Sequence, residues 1–530
     1  MRCSMVVNAR PASEGKASPF GHLRFNRPEL LRPCSSLYLA MNFTIALTFL
    51  LISSTFLLAT DKPNVLFLLV DDLKPSLGCY GDKLAITPNL DKLAARGMRF
   101  ELAYCNQAVC AASRTALLLG SRPTSTGIHG LSTFHRKAIP DAITMLQHFM
   151  AHGYRTEGIG KIFHTGHGNQ DDTISWSVPW KHEPVIEYLL PASSAGGNLT
   201  KEAAMFGNHK VDIASLPHGN AMEFTDLPDQ AHSDGRIAIQ GIERLQAAAK
   251  RPKPFFLALG FVRPHLPFTA PKKYLDLHDK AKFKLAEFIT APKDAPAVAH
   301  KRGGEITNYE PVPKNGSMPD DLARDLIHGY YASVTFADAQ IGRVLDELDK
   351  LNMSANTIVV LWGDHGWHLG DHGYWTKHTN YEQANRIPII ISAPTVTKSG
   401  SSSKHLVESV DLYPTLAELA GLPAPEGPQP IDGISLVPLL HDPDKILRNY
   451  AYHCYPRGKV MGRAIRTQRY RLVEWKIPGA ESSTAQLELY DYQTDPLETQ
   501  NLAATETETV NELMSILAEQ PEALSNSRGN

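Results

Sequence analysis

Asp71-Asp72 and Asp364-His365 each stand directly after an apolar run, Asn64–Val70 and Thr357–Trp362. Either pair alone could cap the turn that follows its run. Two acidic segments brought to one edge of a sheet are a different matter, because crowded carboxylates need a cation to relieve their repulsion. Oxygen ligands suit a hard divalent ion, calcium or magnesium, and calcium is the expected occupant. The His365 imidazole is the odd member of that set, since nitrogen favours softer metals. A second group of residues is cationic: Arg114, Lys161, His164, His265, Lys377 and His378. His265 lies in Arg263-Pro-His-Leu-Pro267, stiffened by proline on both sides, which suits a side chain that must be aimed. Lys377 and His378 follow Asp364 on the same stretch of chain and are expected at the same rim. Such a cluster suits an anionic substrate.

The elements that would position these residues alternate along the chain. Asn64–Val70 is continuously apolar, the pattern of a strand buried on both faces. A helix is expected from Pro88 to Arg96, capped by Thr87 and ended by Gly97, then a strand over Met98–Tyr104 and a helix over Ser113–Leu119. Further strands are expected at Phe255–Phe261, Thr357–Trp362 and Ile387–Ser392, with helices at Asp325–Leu351 and Asp411–Ala420. This is an α/β pattern: a mainly parallel central sheet covered by helices, with ligands beyond the carboxyl ends of its strands. Lys398–Lys404 reads as a surface loop, and Ile431–Leu440 as the close of a large domain spanning residues 61–443. Beyond Arg448, strands at Tyr470–Trp475 and Leu487–Asp491 and a helix at Thr509–Gln520 predict a small antiparallel α+β subdomain, residues 444–530.

Cys110-Ala-Ala-Ser-Arg114, followed by Gly153-Tyr-Arg-Thr-Glu-Gly-Ile-Gly-Lys161-Ile-Phe-His164, resembles the two signature segments of the type I sulfatases. The second segment matches throughout. The first departs at Ala112, where proline is usual, and at Leu119. A lone cysteine at a helix start is ordinarily a small buried apolar side chain; the Ser113-Arg114 spacing gives it another meaning. The resemblance implies an alkaline-phosphatase-like fold and a Cys110 oxidised to formylglycine by the formylglycine-generating enzyme. It also implies that residue 110 joins Asp71, Asp72, Asp364 and His365 around the metal, with Arg114 and Lys161 holding the developing oxyanion and His164 acting as base. His265, Lys377 and His378 would bind sulfate and protonate the leaving oxygen. Asp71–Gly81, Gln107–Cys110, Lys161–His164 and Arg263–Phe268 are similar to the iduronate-2-sulfatase branch, which implies a sulfated saccharide carrying a uronate, with sulfate on the 2-oxygen. A phosphonate or phosphodiester hydrolase of the same superfamily, or an inactive glycan-binding homologue, are the competing readings. The loops Thr165–Trp180 and Pro191–Thr225 should shape the pocket.

The 530 residues carry 53 basic and 55 acidic side chains, a net charge of -2 that offers no general pull on nucleic acid or anionic membrane. Met41–Thr60 reads as a signal peptide behind a true start at Met41, hence export with no stable membrane span; an uncleaved anchor is the alternative. Removing it would leave Cys79, Cys105, Cys110 and Cys454, too few for a disulfide-built fold. Asn198-Leu-Thr and Asn315-Gly-Ser fit the glycosylation pattern.

Overall fold

The computed structural model describes residues 62–300 and 304–525; the expected signal segment lies outside them. Strands β1 (Asn64–Val70), β2 (Met98–Tyr104), β3 (Arg155–Gly160), β4 (Met222–Thr225), β5 (Phe255–Phe261), β6 (Phe268–Pro271), β7 (Thr357–Gly363), β8 (Arg386–Ser392) and β9 (Ser401–Glu408) precede the C-terminal region. Seven of them form one sheet in the order β3-β5-β1-β7-β8-β2-β9. Its pairs are parallel except that β8 runs antiparallel to both β7 and β2.

β1 is the middle of this layer. Side chains alternate across a strand, so Leu66, Leu68 and Val70 join the core under helices Ser233–Ala248 and Asp320–Lys350, whereas Val65, Phe67 and Leu69 join the core under Cys110–Leu119, Met145–Ala151 and Leu412–Leu419. Both faces being covered is why the strand reads as unbroken apolar sequence. Each of these buried side chains contributes about 1.5–3 kcal/mol of transfer free energy.

Register then brings the strand ends level. Val70 lies opposite Phe261 on one side and Gly363 on the other, and Gly160 lies opposite Gly260. Backbone bonds continue one residue further: Asp71 N–H donates to Phe261 O (3.2 Å), Asp364 N–H to Val70 O (3.1 Å) and Lys161 N–H to Gly260 O (2.8 Å). Asp71, Asp364 and Lys161 therefore leave the sheet at one carboxyl rim. Glycine is needed where β3 meets β5: a Cβ on Gly260 would stand 2.1 Å from Lys161 O, and Gly160 has φ +77°.

The C-terminal strands β10 (Ala451–Arg457), β11 (Val460–Arg466), β12 (Tyr470–Lys476) and β13 (Gln486–Asp491) form an antiparallel sheet in sequence order. The helix Thr507–Ala518 lays Val510, Leu513 and Leu517 on Tyr452, Ile465, Leu472 and Leu489. β12, β13 and this helix answer the sequence expectation; β10 and β11 were not anticipated. Three expectations are corrected. Lys398–Lys404 is not all loop, because β9 begins at Ser401 and pairs with β2. Thr87 makes no cap bond; its hydroxyl accepts instead from Gly78 N–H at 2.9 Å. The helix expected from Ser113 starts at Cys110, and the one expected from Asp325 starts at Asp320. The four described cysteines are free thiols.

Glu408, at the end of β9, ties the two sheets together. It accepts from Arg122 Nη2 (2.7 Å), Arg448 Nη1 (2.5 Å), Asn106 Nδ2 (2.6 Å) and the Tyr452 N–H (3.1 Å). Burial alone would raise its carboxyl, but Arg122 and Arg448 outweigh that and hold it below its ordinary value. Removing the carboxylate takes from the largely buried Arg122 its ion-pair partner and leaves Arg448 with Asp411 alone. Glu408→Ala is expected to cost about 3–5 kcal/mol, measured as a lower urea midpoint; an unchanged midpoint would show that the network does not secure the sheets.

Candidate active site

Four segments meet at the rim: the turn after β1, the turn after β7, the start of the Cys110–Leu119 helix and the turn after β3. Asp72 is held in the left-handed region (φ 58°), which a short polar side chain tolerates. Its N–H donates to Asp364 Oδ1 (2.9 Å) and its carbonyl accepts from Tyr330 OH (2.8 Å). Ser113 Oγ donates to the Asp364 carbonyl (2.5 Å), so the first turn of the helix is fastened to the end of β7. Arg114 lies flat between the strand ends. Its Nε donates to Asp364 Oδ2 (3.0 Å), its Nη2 to Asp71 Oδ1 (3.1 Å), and its Nη1 to the Lys161 carbonyl.

The result is a buried ionic cluster. Lys161 Nζ donates to Asp71 Oδ2, and Lys377 Nζ lies 3.2 Å from Asp72 and 2.6 Å from Glu305. His365 Nε2 is 3.2 Å from Cys110 Sγ and 3.6 Å from Asp364 Oδ2, while its Nδ1 is 3.4 Å from Asp72 Oδ1. Burial would raise the Asp71 carboxyl, yet Lys161, His265 and Arg114 hold it well below the usual range. Burial, with the neighbouring carboxylates, pushes Asp72 well up despite Lys377, and burial together with Asp71 lifts Asp364 to about 7 against Arg114. Positive charge is short at this rim. One ligand atom each from Asp71, Cys110, Asp364 and His365 lies within 4.8 Å of the others, and the same is true of Asp71, Asp72, Cys110 and His265. Asp72 Oδ1 is buried without a hydrogen bond. An oxygen-rich set in which four carboxylates (Asp71, Asp72, Asp364, Glu305) face three side-chain cations (Arg114, Lys161, Lys377) fits a divalent cation.

The histidines are held in their neutral forms, His164 by burial and Lys161, His265 and His365 by burial and Lys377. Burial, then Asp71, pushes the Cys110 thiol well above its usual range. For Lys377, burial would lower the ammonium, but Asp72 and other nearby groups hold it well up. His164 pairs through Nε2 with His167 Nδ1 (3.2 Å). Phe206, from the helix Lys201–Phe206, places its ring 5.1 Å from Lys161 Nζ and packs on His164 and His265.

Cys110, His164, His265, Lys377 and His378 line a cavity of about 1390 Å³. The His378 ring stacks on Tyr455, centroids 6.0 Å apart. The cavity also contains residues the sequence reading missed: His167, Glu202 and Glu305, with Tyr455 and Arg457 arriving from the C-terminal sheet. Glu202 belongs to one of the loops expected to shape the pocket, and burial together with Glu305 raises it to about 7. No spacing marks Glu305, a single acid in an irregular stretch. Burial would raise it, but Lys377 and His265 bring it down to about 2.

Residues 63–422 match the sulfatase family, and residues 370–526 match the N-sulphoglucosamine sulphohydrolase C-terminal family. The chain belongs to the type I sulfatase family. It is 34% identical to the iduronate 2-sulfatase of Mus musculus over 517 residues, covering 84% of this chain and 91% of that protein. The Homo sapiens protein of the same name is 33% identical over 518 residues, with the same coverage. These likenesses agree with the branch its motifs resemble. The crystal structure of a phosphonate monoester hydrolase of Agrobacterium radiobacter superposes with a TM-score of 0.68 over 87% of this chain and 96% of that one; at 19% identity the likeness is one of fold. The enzyme is a sulfuric ester hydrolase, and its central sheet and C-terminal sheet answer the fold expectation.

Glu305 sets a negative charge on the Lys377 ammonium of this sulfatase (2.6 Å), with its Oε1 also 3.4 Å from His265 Nε2. Glu305→Gln should tighten inhibition of aryl sulfate turnover by inorganic sulfate about three- to tenfold, since one like charge leaves the anion site. Weaker inhibition would show that Glu305 serves to orient Lys377 instead.

Proposed function

We propose that this sulfatase is exported and removes sulfate from a saccharide carrying a uronate, with the ester on the 2-oxygen. The observation that carries the reading is the convergence of Cys110, His164, His265 and Lys377 on one cavity above a carboxylate cluster. The two iduronate 2-sulfatases support the choice of saccharide. Export rests on the signal-like segment, and no described helix is long and apolar enough to cross a membrane.

Oxidation of Cys110 by the formylglycine-generating enzyme would provide a hydrated aldehyde as nucleophile, and a divalent ion, calcium in our reading, would lower the pKa of its hydroxyl. Asp71, Asp72, Asp364, His365 and residue 110 would hold that ion. Arg114 is already committed to Asp71 and Asp364, so its first task is to keep those carboxylates aligned; with Lys161 it also supplies positive charge where oxygen charge grows. His265, held by Nδ1 against the Leu266 carbonyl (2.5 Å), presents Nε2 to the cavity beside Lys377. These two would bind the sulfate, and the Lys377 ammonium is the proton source for the departing ester oxygen. His164 Nδ1 is buried without a hydrogen bond and can take a proton.

Phosphonate ester hydrolysis is the second reading, because a phosphonate monoester hydrolase shares the fold. Turnover of aryl sulfate against aryl phosphodiester separates them. The substrate reading is tested with protein whose Cys110 conversion is verified by peptide mass: sulfate release is expected from a 2-sulfated uronate saccharide and is lost in Cys110→Ala. Release only from 6-sulfated hexosamine would refute the branch assignment while leaving a sulfatase. Asp364→Asn is expected to lower bound divalent metal and activity together, measured by elemental analysis; full metal content in that variant would remove Asp364 from the ligand set.

A further inference from the structure

The cavity is larger than the roughly 300–1,000 Å³ of an ordinary small-molecule pocket, and one of its walls is built by the C-terminal sheet. That wall is Tyr455 and Arg457, at the end of β10, with His378 beside them. It is firmly placed. Cys454 N–H donates to Asn106 O (2.9 Å), and Asn380 fastens its own loop to the C-terminal sheet, its Oδ1 accepting from His453 Nδ1 (3.1 Å) and its Nδ2 donating to Gly462 O (3.2 Å). The same segment carries Lys377, so the distance between the Lys377 ammonium and this wall is fixed by the fold.

Arg457 is arranged for an anion. Its guanidinium carbon lies 4.5 Å from the Tyr455 ring centroid, its Nη2 donates to the His378 carbonyl (2.8 Å), and its Nε is buried with no hydrogen bond. Among the described residues no carboxylate pairs with it. A buried donor left unsatisfied costs free energy that an incoming acceptor recovers, and a planar guanidinium favours a planar carboxylate. The Tyr455 ring carries the guanidinium over its face and stacks with His378, which fixes the plane in which Arg457 meets a ligand.

We propose that Tyr455, Arg457 and His378 form a second anion subsite that reads a carboxylate on the saccharide, separate from Lys377 and His265 at the sulfate site. The proposal deepens the saccharide-sulfatase reading and rests on it. Arg457 decides specificity, Tyr455 holds its guanidinium in place, and His378 joins the wall to Lys377.

Binding of sulfate-free ligands tests this independently of which ester is cleaved. Calorimetry with the full-length enzyme would compare a disaccharide containing one hexuronate, the same disaccharide with its carboxyl reduced to the alcohol, and one bearing a sulfate in place of the carboxylate. The hexuronate form is expected to bind at least tenfold tighter than the reduced form. Arg457→Gln should erase that ratio, Arg457→Lys should keep part of it, and Tyr455→Ala, which removes the ring under the guanidinium, should lower it. Equal affinity of wild-type enzyme for the carboxylate and alcohol forms, or a ratio unchanged in Arg457→Gln, overturns the subsite. Preference for the sulfate-bearing form over the carboxylate overturns the assignment to a carboxylate. The wild-type comparison decides the question even where the Arg457→Gln protein fails to fold. Failure of the enzyme to desulfate a 2-sulfated uronate would refute the substrate reading alone, because these ligands carry no ester at that position.

Discussion

Arg114 is the contact on which the site depends. It is wholly buried, and it binds Asp71 beyond one strand and Asp364 beyond the adjacent one while also donating to the Lys161 carbonyl beyond a third. Removing one member of such a buried set costs about 3–5 kcal/mol, mostly because the remaining charges lose their compensation. The guanidinium is suited to the task because it is planar and stays charged in a dry environment, which an ammonium does less readily. The sheet register places the strand ends level, and Arg114 then orients the two carboxylates toward each other. Without it, two aspartates held side by side would repel.

The charge economy of the rim follows from that constraint. The chain as a whole is nearly neutral, so attraction for an anionic ester must arise locally. Lys161 and Lys377 sit against Asp71 and Asp72, and Glu305 sits against Lys377. Each cation is thus partly satisfied in the absence of substrate. Burial first, and then the neighbouring carboxylates, push Asp72 and Asp364 above their ordinary values, and by count Asp71, Asp72, Asp364 and Glu305 are in excess over Arg114, Lys161 and Lys377. A divalent cation held by Asp71, Asp72 and Asp364 would balance that excess. The low local dielectric makes each of these interactions stronger than it would be at the surface.

Much of this was legible because burial leaves a plain mark on sequence. β1, β5 and β7 are covered on both faces and read as unbroken apolar runs ending at Asp71, Val262 and Asp364. The edge strand β9 opens with Ser401-Ser402-Ser403-Lys404, polar enough to pass for a loop, since it pairs on one side only. β10 and β11 were missed because Ala-Tyr-His-Cys-Tyr-Pro-Arg and Val-Met-Gly-Arg-Ala-Ile-Arg bury charged and polar side chains such as His453, Arg463 and Arg466 against partners remote in sequence. Thr87 looked like a cap, but Gly78, nine residues earlier, uses its hydroxyl. Glu305 left no trace at all. Its meaning lies in Lys377 and His265, which only the folded chain brings to it.

The two departures of the cysteine segment from the family pattern are mild once its geometry is known. Ala112 is the third residue of the Cys110–Leu119 helix, within the first turn, where backbone N–H groups have no intrahelical partner. Proline is tolerated in that turn for the same reason, so alanine there adds no conflict and is itself the strongest helix former. Leu119 is the last helical residue, buried before Gly120, whose φ of +66° ends the helix. Neither side chain reaches the carboxylates. Ser113 and Arg114 do, through the Asp364 carbonyl and the Asp364 and Asp71 carboxylates. The positions that match the pattern are those that fasten this helix to the strand ends, and the positions that differ are those where the backbone alone has to be helical.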